Sequence, residues 1–313
     1  MMDHPPPDRT LTVQAHRAPS LLRISLLGGM TLHIGDREVA LSNRKARALI
    51  AYLAVAPGMR ETRDRLVGLL WSETEDGKAR ASLRTLLHGL RDVLDREGVG
   101  GLSTDNLHVS LDASLIATDL DCALASIDRG EPADWLVTES RGADTFLRGY
   151  DDIDPSFDSW LTTKRENVRR LLIQRLEARL SESAHDAEAT RRIAHALLQI
   201  DPTHEIACQH LMRTYVASGN NSRALAVYKQ LWTRLEQEYD IEPSAATQEL
   251  VVAIKSGTYR PAVPAPDTGK NVTAANIEDV DSVIVLAVKL AMAWAMKSES
   301  GLRIDASGLM RLE

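Results

Sequence analysis

Apolar residues in this chain recur first at alternate positions and then every third and fourth, so a short β-rich opening gives way to helices. Residues 21–41, LLRISLLGGMTLHIGDREVAL, hold two apolar runs joined by Gly28-Gly29, a turn at Gly35-Asp36 and a third short run. That is the pattern of about three antiparallel strands, with His33 facing solvent between Leu32 and Ile34. From Asn43 to Val55 the period becomes helical, with Leu49, Ile50, Leu53 and Ala54 on the inner face. Ser42 is the expected N-cap, and Pro57-Gly58 stops the helix. Thr62 caps a shorter helix, RDRLVGLLW, and the acidic loop SETEDG leads into KARASLRTLLHGLRDVLD (78–95). On a wheel of ~100° per residue, Leu83, Leu86, Leu87, Leu90 and Leu94 fill one stripe of this last helix. Arg80, Arg84, His88 and Arg91 fill the stripe beside it. The glycines at 98, 100 and 101 break the helix, and LSTDNLHVSL alternates around Asp105-Asn106 as a hairpin.

Beyond Asp119 the pattern is helical. TDLDCALASIDRG is amphipathic, FLRGYDDIDPSFDSWL (146–161) reads as loop-rich, and KRENVRRLLIQRLEARLSES as a long helix. Its Arg169, Arg170, Arg175 and Arg179 alternate with Glu166 and Glu177 and are expected to form a solvated face. Helices follow at 186–199 and 204–217, separated by Asp201-Pro202. Leu211, Tyr215, Gly219, Ala224, Leu225 and Tyr228 then stand at the spacings of a tetratricopeptide unit, with the glycine at the turn and a small residue where two helices approach. TYRPAVPAPDTGK is a Pro-rich linker, and SVIVLAVKLAMAWAMK (282–297) is a short apolar helix expected to dock on the stack or on a partner. The expected fold is therefore mainly α: a small α+β winged helix-turn-helix domain (21–118), then an all-α tetratricopeptide-like domain (119–257). A polar, Pro-rich leader (1–20), a linker (258–280) and an unassigned tail (281–313) complete it.

Net charge alters this picture only locally. The chain carries −7 overall, yet residues 21–98 hold 13 Lys and Arg against 10 Asp and Glu. A mildly basic segment on an acidic chain fits a confined electrostatic footprint rather than indiscriminate nucleic-acid coating. Two cysteines, Cys122 and Cys208, make neither a disulfide framework nor a zinc site and are expected to be small buried hydrophobes. The N-terminus lacks the apolar run of a signal peptide, and no stretch is long enough for a membrane span. A cytoplasmic, nucleoid-associated protein with no membrane contact is expected. GxxxxGK[ST], HExxH and CxxC patterns are absent, and no nucleophile stands with a base. Neither catalysis, cofactor nor metal is expected.

RKARALIAYLA (44–54), DRLVGLLW (64–71) and ARASLRTLLHGLRDVL (79–94) resemble the OmpR-type winged helix, most closely its variant in the antibiotic regulatory protein (SARP) family of bacterial activators. The segments at 150–165 and 201–247 resemble the bacterial transcriptional activator domain that follows it in that family. The resemblance implies a transcriptional activator that binds double-stranded DNA sequence-specifically, recruits RNA polymerase and acts as a homodimer. It implies base-edge contact by Arg80, Arg84, Thr85 and His88, and phosphate contact by Arg91. The start of the second helix, Thr62 and Arg63, joins the phosphate set. Arg44, Lys45 and Arg47, unusual at a helix N-terminus, read either as a solvated face or as a phosphate clamp. The loop Ser72, Glu73, Thr74, Glu75, Asp76 and Gly77 would face the polymerase. Two departures, Gly89 where the family has a basic residue and a wing without Arg or Lys, keep a second reading open: a tetratricopeptide-type interaction scaffold with a degenerate winged helix.

Overall fold

The computed structural model describes residues 21–138, 146–183 and 186–260, so the expected leader and everything after residue 260 lie outside the described residues. Three strands open the chain, β1 (Leu22–Ser25), β2 (Thr31–Ile34) and β3 (Arg37–Glu38), followed by α1 (Arg44–Ala54). Next come β4 (Arg60–Thr62), α2 (Arg63–Leu70), α3 (Asp76–Arg96), the hairpin β5 (Leu102–Thr104) and β6 (His108–Leu111), and β7 (Ile116–Thr118). The remainder is helical: α4 (Asp119–Asp128), α5 (Asp134–Thr138), α6 (Pro155–Glu182), α7 (Ala187–Ile200), α8 (Glu205–Ala217), α9 (Asn221–Tyr239) and α10 (Ala245–Lys255).

Two of the strands are not expected from the pattern. β7 joins the opening sheet parallel to β1, with Leu22 opposite Ile116, giving the order β3-β2-β1-β7. β4 pairs antiparallel with β6, so the wing is a three-stranded sheet in the order β4-β6-β5. Each has three residues, too few to show a period, and each pairs with a segment far away in sequence. Alternation along β1 buries Leu22 and Ile24, and both oxygens of Asp119 accept from the Leu26 and Leu27 amides at 2.8 and 3.0 Å. Burial pushes that carboxyl above its usual range. His33 is half-buried rather than fully turned to solvent.

Local capping differs from expectation at one helix and agrees at another. Asn43, not Ser42, caps α1, accepting from the Ala46 amide. Both residue types rank as good caps, and the choice falls to the one just before the first helical φ/ψ. Thr62 caps α2 as expected, accepting from Arg65 N.

In the second half, α6 begins at Pro155, nine residues before the run that shows its period, so much of the expected loop at 146–161 is helix. Asp154 caps it and Pro155 occupies the first turn, where a missing N–H costs nothing. Phe157, Leu161, Val168, Leu172, Leu176 and Leu180 form its buried stripe. The arginines expected as a solvated face are tied by ion pairs, Arg170 to Glu166 and Arg175 to Asp128 of α4. α8 and α9 meet as expected: Gly219 turns with φ 74°, Ala224 is fully buried, and Tyr215 donates to or accepts from His195 across to α7. Glu205 of α8 takes the place of a cap on α10, accepting from the Ser244 amide and the Thr247 hydroxyl. Cys208 is buried, but Cys122 is exposed, on the face of α4 opposite Leu120, Ala123 and Ile127.

Candidate nucleic-acid interface

Five leucines of α3, together with Ala79, are buried, and they fix how the helix is turned. Burying each leucine stabilises by about 1.5–3 kcal/mol. Rotating α3 by one position, ~100°, would drive an arginine into that core. Arg80, Arg84 and His88 are therefore held exposed on one flank, with Arg91 half-exposed at its end. From Arg80 to Arg91 the helix rises about 16 Å. Arg80 pairs with Asp64 at 3.3 Å, His88 lies 3.6 Å from Asp92, and Arg91 donates to Thr104 Oγ1 at 2.6 Å. Arg84 has no hydrogen-bond or ion-pair partner among the described residues. Thr85 does not share the flank. It lines an open groove of about 790 Å³ with Ala81, Gly89, Asn43 and Lys45, on the side of α3 that faces the start of α1. One residue's rotation from Arg84 carries it there.

The wing gains from β4 the charge it lacks in its own sequence. The Arg60–Ser110 and Thr62–His108 register sets Arg60 and Arg63 beside the hairpin. Arg60 reaches His108 Nδ1 at 2.8 Å and Asp105 at 3.6 Å, and Arg63 Nε donates to the Asp105 carbonyl at 2.7 Å. Asp105 shapes the turn: its carboxylate accepts from the Leu107 and His108 amides, which hold its pKa below the usual range. Leu107, 69% exposed, stands at the tip. Arg60 was legible only as a residue after a stop signal; the strand pairing that brings it to the wing is a long-range event.

The basic first turn of α1 makes contacts within the protein, although Arg44 stays exposed. Arg44 donates to the carbonyls of Gly149 and Asp151, and Arg47 lies over the Tyr150 ring at 5.9 Å. Lys45 donates to the Leu70 carbonyl and sits over the Trp71 ring at 5.0 Å. Two of these side chains are spent on the helical domain and one on the end of α2, so none of the three joins the flank of α3. The expected loop is shorter than Ser72–Gly77, because Asp76 and Gly77 already belong to α3. Glu73, Thr74 and Glu75 are exposed, with Glu75 paired to Lys78 at 3.1 Å.

Ser72, at the head of that loop, is held from the other half of the molecule. The Asp154 carboxylate, 9% exposed, accepts from Ser72 N at 2.9 Å, Ser72 Oγ at 2.6 Å and Ser156 N at 3.0 Å. One side chain thus caps α6 and fixes the segment entering α3. Tyr52 stacks obliquely on Trp160 at 4.9 Å, and Lys164 donates to the Val55 carbonyl, its pKa lowered by burial. No helix among the described residues is long and apolar enough to cross a membrane, and no cluster of His, Cys, Asp and Glu there suits a metal.

A three-helix unit with a β wing, joined to a stack of paired helices, defines a winged-helix protein with a tetratricopeptide-like module. Residues 138–255 match the bacterial transcriptional activator domain family. The chain is 27% identical over 271 residues to Regulatory protein AfsR of Streptomyces griseus, covering 81% of itself and 28% of that relative. It is 22% identical over 249 residues to Transcriptional regulatory protein MoaR1 of Mycobacterium tuberculosis, covering 73% of itself and 78% of the relative. Its fold matches that of Mycobacterium tuberculosis EmbR in complex with a low affinity phosphopeptide, with a TM-score of 0.51 and 19% identity, over 93% of this chain and 74% of that one. The chain is thus similar to transcriptional regulators, over its second half through the activator-domain family and over most of its length through these relatives. It spans 28% of the length of the Streptomyces griseus relative.

Proposed function

We propose that this chain is a sequence-specific DNA-binding transcriptional activator that recruits RNA polymerase and works as a homodimer on double-stranded DNA in the cytoplasm, at the nucleoid. The observation that carries the reading is Arg84: exposed on a helix locked by leucines, flanked by Arg80 and His88, and without a partner of its own among the described residues. A guanidinium so placed suits bidentate pairing with guanine O6 and N7 in the major groove. Arg84 and His88 take the base edges, with Arg80 joining them on release from Asp64. Arg91, Arg63 and Arg60 take phosphates, with Thr62 at the N-terminus of α2 beside them. Glu73, Thr74 and Glu75 form the exposed loop offered to the polymerase. Thr85, Arg44, Lys45 and Arg47 have no part in this interface.

β4 tips the balance against the scaffold reading, because it supplies the wing with the cations whose absence favoured that reading. Selection of bound sequences from a random duplex pool tests the proposal. An enriched motif that is lost in Arg84→Ala is expected; a pool with no enrichment refutes DNA reading.

A further inference from the structure

The leucines of α3 fix how the helix is turned, but they leave its leading end poorly anchored. The buried stripe runs from Leu83 to Leu94, and between Asp76 and Ser82 only Ala79 is buried. That leading stretch rises about 10 Å and carries Arg80, with Arg84 directly after it. Glu75, just before the helix, makes no side-chain cap among the described residues. A helix end without a cap leaves amides unsatisfied and frays. The turn ahead of it supplies the restraint. Thr74 N donates to the Trp71 carbonyl at 3.1 Å, so a single tight turn separates Ser72 from Asp76. Ser72 gives both its amide and its hydroxyl to the Asp154 carboxylate, at 2.9 and 2.6 Å. Two bonds to one carboxylate fix direction as well as distance. Asp154 is held in its turn, because it caps α6 and Phe157 and Leu161 are buried in the turns that follow.

We infer that Asp154 is a positioning residue for DNA reading: through Ser72 it sets where the leading end of α3, with Arg80 and Arg84, meets the base edges. This role rests on the DNA-binding reading above. Asp154 itself touches no DNA and acts from the helical domain. The remaining cations have other supports. Arg91 is held by Thr104 of the wing, Arg60 by His108 and Asp105, and Arg63 by the Asp105 carbonyl. A base edge is read only by a correctly oriented fork of donors, whereas phosphate attraction is electrostatic and independent of sequence. Loosening the clamp therefore lowers specificity and leaves nonspecific affinity in place.

The test compares affinity for the selected duplex with affinity for an unrelated duplex, using the full chain at a temperature where circular dichroism shows each variant folded. A wild-type chain that binds both duplexes alike overturns the DNA reading, and the role of Asp154 with it. Where the wild type discriminates, Asp154→Ala is expected to lose roughly tenfold on the selected duplex, within what one displaced base contact removes. Its affinity and salt slope on the unrelated duplex should stay unchanged. Ser72→Ala, a milder cut that keeps the amide contact, should move the ratio in the same direction. Leu180→Ala opens a cavity at the far end of α6 and should keep the wild-type ratio. An unchanged ratio in Asp154→Ala, or in Ser72→Ala should Asp154→Ala fail to fold, overturns the positioning role alone. So does a Leu180→Ala ratio that falls as far as theirs, since destabilisation of α6 would then account for the loss.

Discussion

Removing the Asp154 carboxylate tests how firmly the helical domain grips the segment that enters α3. Asp154 Oδ1 accepts from Ser72 Oγ and Ser156 N, and Oδ2 accepts from Ser72 N. A hydrogen bond to a charged group contributes about 1.5–3 kcal/mol, and a helix cap about 1 kcal/mol. Ser72 is exposed, so water recovers part of its loss and the low end applies. Asp154→Ala is therefore expected to cost about 3–4 kcal/mol and Ser72→Ala about 1.5 kcal/mol. Because the second substitution has nothing left to remove once the carboxylate is gone, the double variant should cost no more than Asp154→Ala alone. That is a coupling of about 1.5 kcal/mol. Asp154→Asn keeps the Oδ1 contacts but turns an NH₂ towards the Ser72 amide, and should fall between. Urea unfolding followed by tryptophan fluorescence measures the cycle, with Trp71 and Trp160 both close to the clamp. Additive single effects, with coupling below about 0.3 kcal/mol, would refute the clamp.

Four further outcomes are expected. Gly89 is exposed in mid-helix with nothing within 4 Å of where a Cβ would sit, so Gly89→Ala should stabilise by about 1 kcal/mol in thermal or urea unfolding; a destabilised variant contradicts the account of α3. Arg84→Ala should lose about 1–3 kcal/mol of specific affinity and relax one position of the selected motif; binding equal to wild type on the preferred duplex removes Arg84 from the base set. If Arg60, Arg63, Arg80, Arg84 and Arg91 neutralise about five phosphates, affinity should drop roughly 500-fold between 50 and 200 mM salt. Arg60→Ala should lower that slope by about one, and a slope unmoved by the variant excludes it as a phosphate contact. Burial holds the pKa values of His195 and His210 below the ordinary value. The unfolded state then binds the extra protons, so the stabilisation is complete above about pH 6.5 and is lost as pH falls towards the folded pKa values. Urea midpoints should drop from about pH 7 to 5.5, less steeply in His195→Gln; midpoints flat over that window refute it.

Reading by period succeeded wherever one helix or strand pair could be judged from its own residues. The leucine and arginine stripes of α3, the Thr62 cap, the Asp105 turn and the Gly219–Ala224 junction are all local features, written within one or two turns of chain. The candidate flank of Arg80, Arg84, His88 and Arg91 followed from the same wheel, because burying the leucines leaves only one orientation. α6 shows where this fails. Its first nine residues, Pro155 to Thr163, include a proline and several polar residues, and their helix is stabilised by Asp154 and by burial of Phe157 and Leu161 rather than by propensity.

What the tertiary structure alone decided is which surfaces meet. A cation on a surface helix has the same sequence signature whether it ends in solvent, against a carbonyl or over a ring. Arg44 and Arg47 were therefore assigned only by the loop at 149–151 that packs on them, and Lys45 by the end of α2. Arg60 entered the wing through pairing with residues some fifty positions away, and the start of α1 made a groove of the surface that Thr85 faces. Periodicity is a property of neighbouring residues and can be read from the chain. Contacts across the fold depend on shape and on competition among many possible partners, which no single segment encodes.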